Sequence, residues 1–240
     1  MTVLRTEASS TPKARGLPER ALRRLRPVLA RRLSSRWDVH VTGADRLPAT
    51  GPVILISNHI GWLDGPLTVA TASRPVHALV KQEAFEGRSG LLMRVGAQIP
   101  LHRGRTHTQA VRTALRVLRA GQVLLVYPEG TRGEGEVRST YPGAAYFAMV
   151  TGAPIVPVAV LGTRDPGADI ESRPADGQRV DVVYGGTLHV EPRPWPRDLE
   201  ALAVEQDRVA TALREHVAAT TELLGRELPG PPPRQEHLDD

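Results

Sequence analysis

Val53-Ile-Leu-Ile-Ser57-Asn58-His59-Ile-Gly-Trp-Leu-Asp64-Gly65-Pro66 is an unbroken apolar run, then a short polar turn, then the opening of a helical stretch. Gly51-Pro52 punctuates the run on its amino side. A run of this length without polar alternation reads as a strand covered on both faces. Pro66 fits the first turn of a following helix, where its missing N–H has no intrahelical partner to lose. The unit is therefore strand, turn, helix, as in an α/β sheet, and the turn sits where open sheets of this kind place their ligands, beyond the carboxyl end of a strand.

The same alternation runs outward in both directions. Further strands are predicted over residues 37–42, 76–80, 97–101, 123–127, 155–161 and 180–184, and helices over 66–72, 90–95, 106–120, 143–151 and 198–224. The implied fold is a single α/β domain with a mostly parallel central sheet flanked by helices, spanning residues 38–228. Residues 1–16 are polar and rich in Ser, Thr and Pro, and are expected to be disordered. Residues 229–240, with four prolines and a charged end, read as a flexible tail. Between the polar start and the domain, residues 17–37 place Leu17, Leu22, Leu25, Leu29 and Leu33 at helical spacing among arginines. This is a basic amphipathic helix, interrupted at Pro27, which should kink or break it. Such a helix can lie in the interface of an anionic membrane, or it can dock on the domain with its charged face in solvent; the pattern serves both.

Composition narrows the chemistry. With no cysteine in 240 residues, disulfides, thiolate catalysis and Cys-type zinc sites are excluded. The net charge is +5, and all basic residues except Lys13 and Lys81 are arginine, suited to phosphate and carboxylate. No stretch approaches the ~18 apolar residues of a membrane-spanning helix. Aromatic residues make up only 4%, and no nucleic-acid-binding motif is visible, so a nucleic-acid partner is not expected.

His59 and Asp64, five positions apart across the turn, can form a general base: the carboxylate fixes the imidazole tautomer and the second ring nitrogen takes a proton. No Gly-x-Ser-x-Gly elbow occurs, so the pair lacks a protein nucleophile and must activate a hydroxyl that arrives with a substrate. Alone, a His and an Asp at this spacing are weak evidence. Two more predicted strands end in similar chemistry. Gly96-Ala-Gln-Ile99-Pro100-Leu101-His102-Arg103 ends in a basic residue, and Tyr127-Pro128-Glu129-Gly130-Thr131-Arg132 ends in a glycine turn. Guanidinium groups beside turn amides make a phosphate cradle, with Glu129 either orienting an Arg or capping the turn.

These stretches, in the order Asn58-His59-x4-Asp64, Gly-x-x-Ile-Pro-x-x-Arg103, Tyr-Pro-Glu129-Gly130-Thr131-Arg132 and Ala153-Pro-Ile-Val-Pro157-Val, resemble the glycerolipid acyltransferases typified by 1-acylglycerol-3-phosphate acyltransferases. Lys81-Gln-Glu83 is similar to a Lys-x-Glu segment of that family, and the likeness runs from about Val39 to Leu188. The resemblance implies His59 as base and Asp64 as its partner, with Arg103, Glu129, Gly130, Thr131 and Arg132 holding the acceptor phosphate. Asn58, Lys81 and Pro157 would support the site. The implied donor is acyl-CoA or an acyl carrier protein and the implied acceptor a lysophospholipid, with no metal or other cofactor. The implied location is the cytoplasmic face of the cell membrane, as a peripheral protein. The chain departs from the family at His102, where an acidic residue is common, in the segment 138–143, and at Gly185-Gly186-Thr187, where Gly-x-Pro is common. The first two departures leave the acceptor open between 1-acylglycerol 3-phosphate, which the resemblance implies, and glycerol 3-phosphate, another lysophospholipid or a glycolipid taken by the same chemistry. Of the remaining histidines, His77, His107, His189 and His216 are expected to be packing or surface residues.

Overall fold

The computed structural model describes residues 15–101, 108–194 and 198–233, with the side chains of residues 88 and 89 left aside. All seven expected strands form one sheet: β1 (Asp38–Thr42), β2 (Val53–Ser57), β3 (Val76–Lys81), β4 (Ile99–Leu101), β5 (Val123–Val126), β6 (Ile155–Leu161) and β7 (Arg179–Tyr184), in the order β1-β7-β6-β2-β5-β3-β4. Five neighbouring strands, β6 through β4, run parallel; β7 turns antiparallel to β6, and β1 lies parallel to β7 at the edge. The central β2, β5 and β6 are buried at every position, which is why each reads as a continuous apolar run.

Helices cover both faces. On one side α4 (Thr108–Arg119), α5 (Gly143–Thr151) and α6 (Leu199–Leu224) pack Leu118, Phe147, Met149 and Leu213 against Ile54, Leu124 and Ile155. On the other, α1 (Arg20–Ser34) and α2 (Asp64–Thr71) pack Leu33, Leu63 and Leu67 against Leu55, Leu125 and Tyr184. A short helix, α3 (Gly87–Val95), joins β3 to β4 at the far edge. No helix among the described residues is long and apolar enough to cross a membrane.

The structure moves several expected boundaries for local reasons. Pro27 lies inside α1 and does not end it. Burying Leu22 and Leu33 against the domain is worth about 1.5–3 kcal/mol each, against about 3 kcal/mol for an interior proline, and Arg26 adds a hydrogen bond to the Val69 carbonyl (3.1 Å). Leu22 and Leu33 of α1 are thus packed on the domain, while Leu25 and Val28 are exposed along with every arginine of the helix except Arg26. Trp37 is not the first residue of β1: its amide returns to Leu33 and its indole donates to the Pro174 carbonyl. β4 starts two residues later than expected, because Ala97, at φ +48°, still belongs to the turn that ends α3.

Candidate active site

Three strand ends meet at one edge. In the register Ile56 lies beside Val126 of β5 and Pro157 of β6, so the segments after β2, β5 and β6 emerge side by side. The first carries His59 and Asp64, the second Tyr127–Arg132, the third Gly162-Thr163-Arg164.

His59 Nδ1 donates to Asp64 Oδ2 at 2.8 Å. Asp64 is completely buried at the first turn of α2 and is fully satisfied: Oδ2 also accepts the amides of Ile60 (2.7 Å) and Gly61 (2.9 Å), and Oδ1 accepts the Thr163 hydroxyl (2.5 Å). A buried carboxylate is tolerated only with such a complete set of donors. Gly61 is required here, since a Cβ would meet the Thr163 carbonyl at 2.6 Å. The imidazole is held from a second direction by Tyr127, stacked on it with ring centroids 4.1 Å apart and planes at 24°. The Tyr127 hydroxyl is buried without a hydrogen-bond partner among the described residues, and burial raises its pKa well above the usual phenol range. The His59 side chain keeps 20% of its surface exposed, so the imidazole borders solvent while its partner does not.

The turn after β5 clamps the backbone of His59. Glu129 Oε1 accepts the His59 amide (2.9 Å), and the Gly133 amide donates to the His59 carbonyl (2.8 Å). Glu129 therefore caps the turn after β2, whereas the sequence offered it an arginine or its own turn. Burial pushes its pKa up to about 7, against the lowering effect of the His59 amide. Gly130 has φ +69°, and a Cβ there would run into the Tyr141 ring. Thr131 is exposed. The Arg132 guanidinium is turned to the Ile170 carbonyl (2.8 Å) and to Glu171 (2.7 Å). Asn58 is buried, its amide bonded both ways to the backbone of Val160, which ties the turn to β6. Lys81 closes β3, two strands from β2, and is half-buried. Pro157 is buried inside β6, and its carbonyl accepts the Gly185 amide (2.8 Å). Arg103 and His102 lie outside the described residues, as does His107. His77 is buried with Nδ1 donating to the Ala97 carbonyl, and His216 donates to Val183; both are packing groups.

Sequence reasoning missed two residues that hold this assembly. Thr163 supplies the fourth donor to Asp64. Arg164, buried beside it, donates to the carbonyls of Ile60 (3.0 Å), Gly133 (2.8 Å), Ala168 (2.7 Å) and Gly230 (2.8 Å), joining the turns after β2, β5 and β6 to the carboxyl-terminal segment. Both follow a strand exit at Leu161-Gly162, the same signal that singled out His59 and Arg132. No cluster of metal-ligating side chains occurs among the described residues.

The profile of the acyltransferase family matches residues 38–161, just over half of the chain and the part that carries the His59–Asp64 turn and the turn after β5. The chain belongs to the acyltransferase family. It is an O-acyltransferase. The 1-acyl-sn-glycerol-3-phosphate acyltransferase of Bacillus subtilis is 29% identical over 200 residues, covering 82% of this chain and 89% of that protein. The human 1-acyl-sn-glycerol-3-phosphate acyltransferase beta is 33% identical over 118 residues, 47% of this chain and 42% of that one. The crystal structure of the 1-acyl-sn-glycerophosphate acyltransferase PlsC from Thermotoga maritima superposes with a TM-score of 0.59 at 22% identity, covering 82% of this chain and 80% of that one, and so shares the fold.

Proposed function

We propose that this acyltransferase moves a fatty acyl group from acyl-CoA or an acyl carrier protein to the sn-2 hydroxyl of 1-acylglycerol 3-phosphate, giving phosphatidic acid. The observation that carries the reading is the 2.8 Å hydrogen bond from His59 Nδ1 to a buried, fully satisfied Asp64, which leaves Nε2 as the basic nitrogen of a partly exposed ring. Ser57, the nearest hydroxyl side chain in sequence, donates to the Asn58 carbonyl instead, so the alcohol activated by His59 is the substrate's. Nε2 takes the acceptor hydroxyl proton as that oxygen adds to the thioester carbonyl. The tetrahedral intermediate then expels the thiolate, which recovers the proton from the imidazolium. Asp64 holds the tautomer and stabilises the imidazolium without taking the proton.

The acceptor phosphate is assigned to the turn Gly130-Thr131-Arg132 with Arg103. Arg132 reaches it by releasing Glu171, whose own carboxylate is exposed. The names of the relatives from Bacillus subtilis and human support lysophosphatidic acid as acceptor. The purified protein, given a labelled acyl thioester and an acceptor panel, should make phosphatidic acid. His59→Ala should lower turnover by roughly 10²–10⁴-fold while the fold is retained, at a cost of about 1–3 kcal/mol for the donor withdrawn from buried Asp64. Undiminished turnover in that variant would end the mechanism, and preference for a non-phosphorylated acceptor would remove the phosphate from the turn.

A further inference from the structure

We infer that Glu171 is a built-in competitor for the acceptor phosphate: its carboxylate sits on Arg132 in the free protein, and exchanging it for phosphate sets how tightly the acceptor enters and how readily the product leaves. The inference rests on the proposed function, which assigns the phosphate to the turn Gly130-Thr131-Arg132, and deepens it by naming the group that the phosphate must displace.

Three observations carry it. The first is the pair itself. Arg132 Nη2 lies 2.7 Å from Glu171 Oε1, and the two side chains are unequal: that of Arg132 is 18% exposed and that of Glu171 69%. The cation is the enclosed partner and the anion the one that can leave. The second is how the guanidinium is held. Arg132 Nη1 donates to the Ile170 carbonyl (2.8 Å), so one nitrogen is fastened to the backbone while the other carries the carboxylate. Turning the Glu171 side chain into solvent frees Nη2 without moving Arg132. Carboxylate and phosphate offer a guanidinium the same kind of anionic oxygen, so a phosphate suits the place that Glu171 leaves. The third is where Glu171 comes from. It stands in the connection from β6 to β7, in a turn where its amide donates to Asp169 Oδ1 (2.8 Å) and the Ser172 amide to the Asp169 carbonyl (3.0 Å). Just before this turn the buried Arg164 holds the Ala168 carbonyl (2.7 Å). Just after it the Arg173 guanidinium lies 4.9 Å over the ring of Trp62, in the turn that carries His59 and Asp64. The backbone that presents Glu171 is thus fastened to the site on both sides.

A cation that carries its own counter-ion binds an external anion less tightly, by the factor by which the internal pair is preferred to the open side chain. That factor is the same for every ligand whose phosphate takes the place of the carboxylate. Glu171 therefore does not choose between acceptor and product; it weakens both alike and returns to Arg132 as the product departs, a step that limits many enzymes.

The test is calorimetric titration of the full chain with glycerol 3-phosphate, without acyl donor. Glu171→Gln keeps an oxygen for Arg132 and removes the charge, and should tighten glycerol 3-phosphate roughly three- to ten-fold. Arg132→Gln should weaken it, and in the Arg132→Gln background Glu171→Gln should give no gain. Asp176→Asn removes the same charge from the same connection, at a residue paired with Arg36 instead, and should not tighten binding. In turnover, Glu171→Gln should lower KM for lysophosphatidic acid and the inhibition constant of phosphatidic acid by the same factor, with no rise in kcat. A glycerol 3-phosphate affinity that Glu171→Gln leaves unchanged or weakens, a gain that persists without Arg132, or an equal gain from Asp176→Asn overturns the inference. So does the absence of binding in both the wild type and Glu171→Gln. The two readings fail differently. If Arg132→Gln weakens glycerol 3-phosphate and Glu171→Gln does not tighten it, the phosphate stays assigned to Arg132 and only the competitor falls. If Arg132→Gln changes nothing, the phosphate binds elsewhere and the inference falls with that assignment.

Discussion

At the scale of single residues, the site depends on how few ways its side chains can move. Asp64 is fixed by four donors, and three of them come from the His59–Asp64 turn itself; only Thr163 reaches it from β6, 99 residues away. Thr163→Val keeps the shape and removes that donor, leaving a buried carboxylate oxygen unpaired at about 1–3 kcal/mol. Under the proposed mechanism Thr163 is a positioning residue. The variant should lose kcat by roughly ten-fold with KM little changed, and Thr163→Ser should restore it; a fall in KM affinity alone, or no rescue by Ser, would assign the residue to packing. Glu129 is the group in this site that titrates near neutrality. Burial raises its pKa from 4.5 to about 7, so the folded protein keeps a proton that the unfolded chain has released. The stability it contributes is complete below pH 4.5 and is lost as pH rises through the folded value. Glu129→Gln keeps an acceptor for the His59 amide and has no proton to lose. Denaturant titrations should therefore show the wild type losing stability relative to Glu129→Gln as pH rises from about 4.5 to about 7, and a difference flat across that window would show that the carboxyl is not shifted.

At the scale of elements, what could be read in advance followed from how each element is buried. β2, β5 and β6 are covered on both faces, so their sequences are apolar without interruption, and their limits fell within a residue of those expected. The His59–Asp64 pair was legible because both partners lie in one turn. Thr163, Arg164 and the stacking of Tyr127 on His59 were not, because nothing local records that β2 lies between β5 and β6; only the strand order brings these exits together. That α1 runs on through Pro27 without a break was not legible, for a related reason. Local propensity weighs the lost hydrogen bond and the ring clash, while the burial that outweighs them is tertiary. Its penalty should still be present. Pro27→Ala restores a donor to the Arg23 carbonyl at an exposed position of α1. Less about 0.4–1 kcal/mol for the greater freedom of the unfolded chain, it should stabilise by about 2 kcal/mol, a rise in melting temperature of several degrees for a protein of this size. An unchanged or lower melting temperature would mean that α1 is already bent at Pro27 to fit α2 and that Ala straightens it out of register.

At the scale of the whole molecule, one sheet separates two apolar layers, and the site stands on the rim where both layers end. Leu124 and Leu125, consecutive on β5, point to opposite layers: the first packs with α4, α5 and α6, the second with α1 and α2, and both are fully buried. Each Leu→Ala change should cost about 2–5 kcal/mol. If the layers were separate folding units, Leu124→Ala would melt α4, α5 and α6 early and leave a second transition near the wild-type temperature. The topology argues otherwise. β5 is hydrogen-bonded to both β2 and β3, and α2 and α4 are inserted between strands of the same sheet, so neither layer can leave without unzipping the strands that the other needs. Both single variants should therefore lower one cooperative transition, followed identically by far-ultraviolet circular dichroism and tryptophan fluorescence. In the double variant the two losses should add to within about 0.5 kcal/mol, because the cavities open on opposite sides of the strand. Two resolved transitions in either single variant would show that the layers unfold separately, and a double-variant loss well beyond the sum would show that β5 itself yields once both of its faces are undercut.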